Sequence, residues 1–193
     1  MNYLLQIQNL FQNYYTENFI YRPFVKADTF PLFDATRNPE FNHYLLWDAP
    51  KDIAELTEQV DMLLREQLMN QSVLISICEK NNGQWIGFIK FVHYSNNIEI
   101  SFWIHPNYWK SKFPSYALSS IIHIVFTNIH DLNGIYAKFH HDNLKVQKLA
   151  SKYNFVYEKS FNVQHQFGHF FQADLYFLDK KNFPSCPIEV YLF

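Results

Sequence analysis

The sequence predicts an α+β fold: a mixed, mainly antiparallel sheet of βββαβαββ order, flanked by helices and preceded by an extra N-terminal helix. Three observations predict it. Residues 73–79, 84–94 and 98–105 are apolar, β-branched or aromatic runs separated by turn residues, which is the pattern of an antiparallel meander. Two stretches of helical spacing, one opened by Pro114 and one over residues 144–153, enclose a single strand-like run at residues 135–140. Two further runs, 155–163 and 170–178, close the chain as a hairpin around Gly168. Strands grouped in this way, instead of alternating with helices throughout, argue against a doubly wound parallel sheet.

Each element has its own justification. Leu4, Ile7, Leu10, Phe11 and Tyr14 recur at helical spacing and predict a short amphipathic helix over the core. Residues 19–24 read as a strand ending at Arg22-Pro23; Asp28 then caps a helix through Leu32, Phe33 and Ala35, which Asn38-Pro39 stops. Asp52 followed three residues later by Glu55 is a capping-box variant, with Ile53, Leu56, Val60, Leu63, Leu64 and Leu68 as one apolar face behind it. Asn81-Asn82-Gly83 and Ser95-Asn96-Asn97 are the turns of the meander. In its last strand Ile98, Ile100, Phe102 and Ile104 share one face, and Glu99, Ser101, Trp103 and His105 the other. Pro114 pre-sets the first turn of the next helix, which buries Ala117, Leu118, Ile121, Ile122, Val125 and Ile129, and Asn133-Gly134 ends the connection that follows.

One domain over residues 1–193 is expected, with residues 1–18 as a helical addition and 184–193 as a tail. Hydrophobic residues at 48% and charged residues at 18% make a globular and not a disordered balance, and 19% aromatic residues predict a ring-rich core or groove. A net charge of -2 without a Lys/Arg cluster disfavours nucleic acid as a partner. The longest apolar runs, such as residues 121–126, fall short of a bilayer span, and residues 1–14 lack a basic leader, so a cytoplasmic protein without membrane association is expected. Cys78 and Cys186 provide neither a disulfide framework nor a zinc pattern and read as free thiols. Cys78, in an apolar run with no partner base, reads as core. Adjacent His140 and His141 point to opposite faces of a strand, and His165 and His169 straddle a Phe167-Gly168 turn, so no metal site is expected. The tail, with Ile188, Val190, Tyr191, Leu192 and Phe193, is apolar enough to pack on its own domain or on a second subunit as a homodimer.

Several segments, weak singly but in order and at consistent separations, resemble one family. They are Tyr21-Arg22-Pro23-Phe24 with Asp28; residues 98–104 followed by Pro106-Asn107-Tyr108-Trp109; Asp142-Asn143-Leu144 with Leu149, Lys152 and Phe155; and residues 174–178. These resemble the GNAT N-acetyltransferases and, within them, the RimJ/RimL branch, whose members acetylate N-terminal amines of ribosomal proteins. The resemblance covers all but residues 1–18 and 184–193. It implies acetyl-CoA as co-substrate and a primary amine as acceptor, either a protein N-terminus or a small amine.

Such enzymes hold the CoA diphosphate on free backbone N–H groups at the start of the central helix, reinforced by the helix dipole, through a Q/R-x-x-G-x-G/A loop. This chain has Lys110 and Lys112 at the glycine positions and Pro114 where a small residue is usual. Glycine serves where backbone takes positive φ or approaches a ligand closely. The lysines therefore predict a degenerate loop, filled by side chains or rerouted, unless their ammonium groups meet phosphates as point charges. The resemblance places the cofactor against Phe102, Trp103, Ile104, Trp109, Lys110, Ser111, Lys112, Phe113 and Ser115, with Asn143 on the pantetheine arm; Asn143 equally suits a helix N-cap. Direct transfer needs an unprotonated amine, an oxyanion stabiliser and an acid for the leaving thiolate. The resemblance implies Glu99 first, then Ser101, as base, acting through water, with His105 at the strand end. At the helix position where some relatives carry a Tyr or Ser as the acid this chain has Ala150, with Ser151 and Tyr153 as neighbours on different faces, so the acid is left unassigned and Tyr153 is carried as a catalytic candidate. Two other readings are transfer of a different acyl group, including from a carrier, and a catalytically silent binding or regulatory domain.

Overall fold

The computed structural model describes residues 2–164 and 170–183; the Phe167-Gly168 turn, the His165/His169 pair, Cys186 and the tail over 184–193 lie outside them. Eight strands form one sheet in the order β1-β2-β3-β4-β5-β6-β8-β7. They are β1 (Tyr14–Tyr15), β2 (Phe19–Pro23), β3 (Ser72–Glu79), β4 (Trp85–Tyr94), β5 (Asn97–Ile104), β6 (Gly134–His140), β7 (Val156–Gln164) and β8 (Phe170–Asp179). Among the described residues six α-helices accompany them: α1 (Tyr3–Leu10), α2 (Thr29–Thr36), α3 (Pro39–His43), α4 (Ile53–Leu68), α5 (Phe113–Asn128) and α6 (Leu144–Lys152). Every neighbouring pair is antiparallel except β5 and β6, which run parallel. This is the expected mixed α+β sheet, with the strand at residues 19–24 joined to it and a two-residue β1 added at the edge.

Both faces of the sheet are covered. On one, Leu4 and Ile7 of α1, Ala117 to Val125 of α5 and Ala150 of α6 pack on Ile75, Ile77, Ile89, Ile98, Ile100 and Ile104. On the other, Leu32, Phe41, Leu56 and Val60 from α2, α3 and α4 pack on Leu74, Trp85 and Phe88. Apolar burial on two faces explains why the central strands read as near-continuous hydrophobic runs. The alternation along β5 is as expected: Ile98, Ile100 and Ile104 enter the first core, and Trp103 packs against the second.

A bulge in β4 departs from the regular strand expected over residues 84–94. Ile77 pairs with Gly87 and Cys78 with Trp85, so Ile86 has no partner on β3. The extra residue shifts the side-chain alternation, which lets Trp85 and Phe88 face one core while Ile86 and Ile89 face the other. Gly87 sits against β5, where a Cβ would collide with the Trp103 carbonyl oxygen. The hairpin turn between β3 and β4 places Gly83 at φ 71°, the left-handed conformation glycine takes at little cost.

Two capping expectations change in detail. Asp28 precedes α2 without capping it. Its buried carboxylate instead accepts two bonds from the Arg22 guanidinium (2.6 and 2.8 Å), one from Ser76 Oγ (2.7 Å) and one from the Val25 N–H (3.0 Å). Four donors around one desolvated carboxylate tie β2, β3 and the turn before α2 together. Asp52 does cap α4, accepting from the Glu55 N–H at 2.9 Å, but Glu55 returns to the Lys51 N–H and not to that of Asp52. The apolar face of α4 is narrower than its spacing suggests: Leu56 and Val60 are buried, whereas Ile53 and Leu68 at its ends are exposed.

Candidate active site

The site arises where two neighbouring strands stop pairing. The parallel ladder between β5 and β6 holds only Ile98 to Ile135, Glu99 to Tyr136 and Ile100 to Ala137. Beyond it, Ser101 to Ile104 on β5 and Lys138 to His140 on β6 diverge, leaving a wedge with α5 and α6 at its back. A cleft of about 800 Å³ fills this wedge and extends over the α2–α4 face of the sheet. Glu99, Ser101, Phe102, Trp103, Ile104, Trp109, Ser111, Ser115 and Asn143 line it together, so most of the residues singled out from sequence are gathered in one place. Lys110, Lys112, Phe113 and Tyr153 are not in its lining.

The loop before α5 keeps the feature that matters for an anion. Neither Lys110 nor Lys112 has positive φ, so the freedom of glycine is not required on this path. Both lysine side chains are exposed and leave the cleft unfilled, contrary to the plugged loop that their size suggested. Ser111 Oγ donates to the Tyr108 carbonyl (2.6 Å) and accepts from the Phe113 N–H (3.1 Å), which fixes the turn without glycine. The N–H groups of Lys110, Lys112 and Ser115 meet no protein acceptor among the described residues, and Pro114 has none. Three free donors at the start of a sixteen-residue helix fit a diphosphate. Asn143 Oδ1 caps α6 through the Val146 N–H at 3.2 Å while Asn143 lines the cleft, so both roles read for it from sequence are compatible.

The floor of the cleft is polar and paired. Glu99, buried on β5, meets Lys138 Nζ on β6 at 3.2 Å, and Lys90 on β4 meets Glu66 on α4 at 2.6 Å. Ser101 is the register partner of Lys90. Neither Lys90 nor Lys138 was singled out from the sequence; a lysine in an otherwise apolar central strand was the signal available. His105 is elsewhere: its Nε2 lies 3.1 Å from Asp34 on α2 and its Nδ1 accepts from the Asn107 N–H, so it anchors the loop after β5. Tyr153 is also committed, its hydroxyl bonded to the Ser115 carbonyl (2.9 Å) and Oγ (2.7 Å). Burial pushes the Cys78 thiol up from its ordinary value, in keeping with a core role.

Trp109 joins the elements around the cleft. Its indole N–H donates to the Ile104 carbonyl at 2.8 Å, its ring stacks on Phe41 of α3, and Lys145 of α6 lies 5.3 Å above it while pairing with Glu40 of α3. Helices α3 and α6 are thereby linked across the wedge through one ring and one ion pair.

A parted parallel strand pair next to a helix with free N-terminal amides is the arrangement of an acyl-CoA transferase fold. Residues 18–156 match the model of the acetyltransferase (GNAT) domain, and the chain belongs to that family. Solved structures of similar fold include a GCN5-related N-acetyltransferase from Brucella melitensis (TM-score 0.73, 16% identity, covering 91% of this chain and 81% of that one). They also include a spermidine N-acetyltransferase from Vibrio cholerae, in complex with CoA and spermine (TM-score 0.68, 16% identity, 85% and 96%). A ribosomal-protein alanine acetyltransferase from Vibrio fischeri is a third (TM-score 0.65, 15% identity, 90% and 99%). At these identities the likeness shows the fold alone. No curated protein matches the sequence.

Proposed function

We infer that the protein is an acetyl-CoA-dependent N-acetyltransferase acting on a primary amine. The observation that carries this reading is one cleft lined together by Ser115, whose amide is free in the first turn of α5, by the parted edge of β5 and by Glu99. GNAT acetyltransferases use acetyl-CoA, and the residues here suit it. The amides of Lys110, Lys112 and Ser115 would hold the diphosphate, Asn143 and the β5 edge from Phe102 to Ile104 the pantetheine arm, and the ring of Trp109 would cover it. Acetyl-CoA supplies the activated acetyl group. Glu99 takes the proton that the acceptor ammonium must lose, directly or through one water, with Lys138 holding its carboxylate in place and Ser101 alongside. Tyr153, with its hydroxyl on Ser115, is assigned the positioning of the first turn of α5.

The test is titration of the full chain with acetyl-CoA, followed by intrinsic fluorescence, since Trp103 and Trp109 both line the cleft. Saturable quenching or enhancement is expected, and no change up to millimolar ligand overturns the reading. Lys110→Ala with Lys112→Ala should weaken binding modestly and flatten its salt dependence, because exposed ammonium groups add only screened attraction to the amide contacts.

A further inference from the structure

The ionised side chains around the first turn of α5 are of one sign. Residues 106–115 and 144–153 hold Lys110, Lys112, Lys145, Lys148 and Lys152 and no acidic residue, although the chain as a whole has 18 acidic against 16 basic side chains. Neither segment is a basic run in the sequence; the fold brings the two side by side. Lys145 lies 5.3 Å over the Trp109 ring at one end, and Lys152 Nζ donates to Ser115 Oγ at 2.8 Å at the other. Helix α6 therefore runs alongside the loop that carries the free amides. Lys145, Lys148 and Lys152 follow the spacing of one helix face, over about 10 Å.

Lys152 occupies a place where a cation is unfavourable unless an anion joins it. The positive end of the α5 dipole and the free N–H groups of its first turn repel an ammonium group. A lysine in the last turn of α6 could serve the carbonyls of its own helix, yet among the described residues the Lys152 ammonium meets only Ser115 Oγ and the Tyr153 ring. Ser115 Oγ is shared with the Tyr153 hydroxyl at 2.7 Å, which fixes the point that the ammonium reaches. Lys148 lies one turn earlier, and lysines at that spacing repel each other. Lys145 pairs with Glu40; the other four lysines have no carboxylate partner among the described residues. The amides of Lys110, Lys112 and Ser115 already suffice for a diphosphate, so the unpaired charges on α6 answer a further anion. A phosphate monoester, with about two negative charges at neutral pH, matches two ammonium groups.

Resting on the acetyl-transfer reading above, we propose that Lys148 and Lys152 are specificity-determining residues for the donor. They hold a phosphate monoester at its nucleotide end, the 3′-phosphate of CoA, and so select donors that carry this group over donors that have the diphosphate alone. Binding of that phosphate relieves the repulsion between the two lysines and between Lys152 and the start of α5.

The experiment titrates the full chain by calorimetry with acetyl-CoA and with acetyl-3′-dephospho-CoA, at low and at high salt. Acetyl-CoA is expected to bind about tenfold more tightly at low salt, the scale of one charge-assisted hydrogen bond, and the gap should narrow as salt screens the exposed ammonium groups. Lys148→Gln with Lys152→Gln keeps much of the aliphatic stems and removes both charges. It should cost acetyl-CoA about tenfold in affinity and leave acetyl-3′-dephospho-CoA within about twofold, the coupling that a cycle of protein and ligand changes isolates. The double variant should keep or slightly raise the melting temperature of the free chain, because a like-charge pair is gone, so a lost signal is not confused with a lost fold. Equal affinity for the two donors in the unmodified chain overturns the proposal alone. An equal loss for both donors in the double variant does the same, since the lysines would then act on the diphosphate. If neither donor binds, the acetyl-transfer reading fails and the proposal with it.

Discussion

At the scale of single residues, His141 is a titratable group outside the cleft whose proton affinity the fold changes. Its Nδ1 lies 2.9 and 3.0 Å from the two oxygens of Asp174, which also accepts from Ser160 Oγ at 2.6 Å. The hydrogen bond that the His141 ring donates to Asp174, and next the charge of Asp174, raise His141 above the ordinary histidine value. A group that holds its proton more tightly when folded stabilises the fold at low pH, fully below its unfolded value, and that contribution is lost as pH rises through the raised one. An NMR titration should therefore give His141 a midpoint above that of a free histidine, and Asp174→Asn should bring it down. An unmoved midpoint in the variant would deny the pairing. Arg22 and Asp28 show the same chemistry in the interior, where the bidentate contact and a coupled Ser76 turn a sequence motif into a brace between two strands.

At the scale of elements, the bulge in β4 shapes the site. It reverses the facing of Trp85 and Ile86 relative to the regular strand, and its Gly87 lets β5 approach so that Trp103 stacks on Phe88 at 4.6 Å. Gly87→Ala introduces a Cβ against rigid backbone. It should cost about 1–3 kcal/mol in urea unfolding, the usual range for overpacking, and weaken acetyl-CoA binding by moving the end of β5. Full retention of both properties would mean that the strands part easily here. The sequence did carry a hint of this bulge, an isolated glycine inside a strand pattern, but not its register, because which residue lacks a partner depends on the neighbouring strand. The loop before α5 teaches the reverse lesson. Lysines at two glycine positions suggested a damaged anion site, yet ordinary φ values and a serine-closed turn leave the amides of Lys110, Lys112 and Ser115 without protein acceptors.

At the scale of the whole molecule, the cleft is bounded by parts of the chain that meet only in three dimensions: Glu40 and Phe41 from α3, Trp109 after β5, and Lys145 from α6. The Glu40–Lys145 pair is largely exposed, so Glu40→Ala with Lys145→Ala should change stability by less than about 1 kcal/mol. Stopped-flow fluorescence should nevertheless show faster association and release of acetyl-CoA, because the link between α3 and α6 across Trp109 is gone. Unchanged rates would show that the ring alone controls entry. The order of elements, the faces of β5 and the family were determined by the sequence itself, since periodicity, turn residues and caps act over a few neighbouring positions. Where β5 and β6 part, why Tyr153 and His105 are drawn away to Ser115 and Asp34, and how Lys90 and Lys138 come to line one cleft were decided only by the tertiary structure. Those contacts join residues far apart in the chain, whose meeting depends on strand order and on packing across both faces of the sheet.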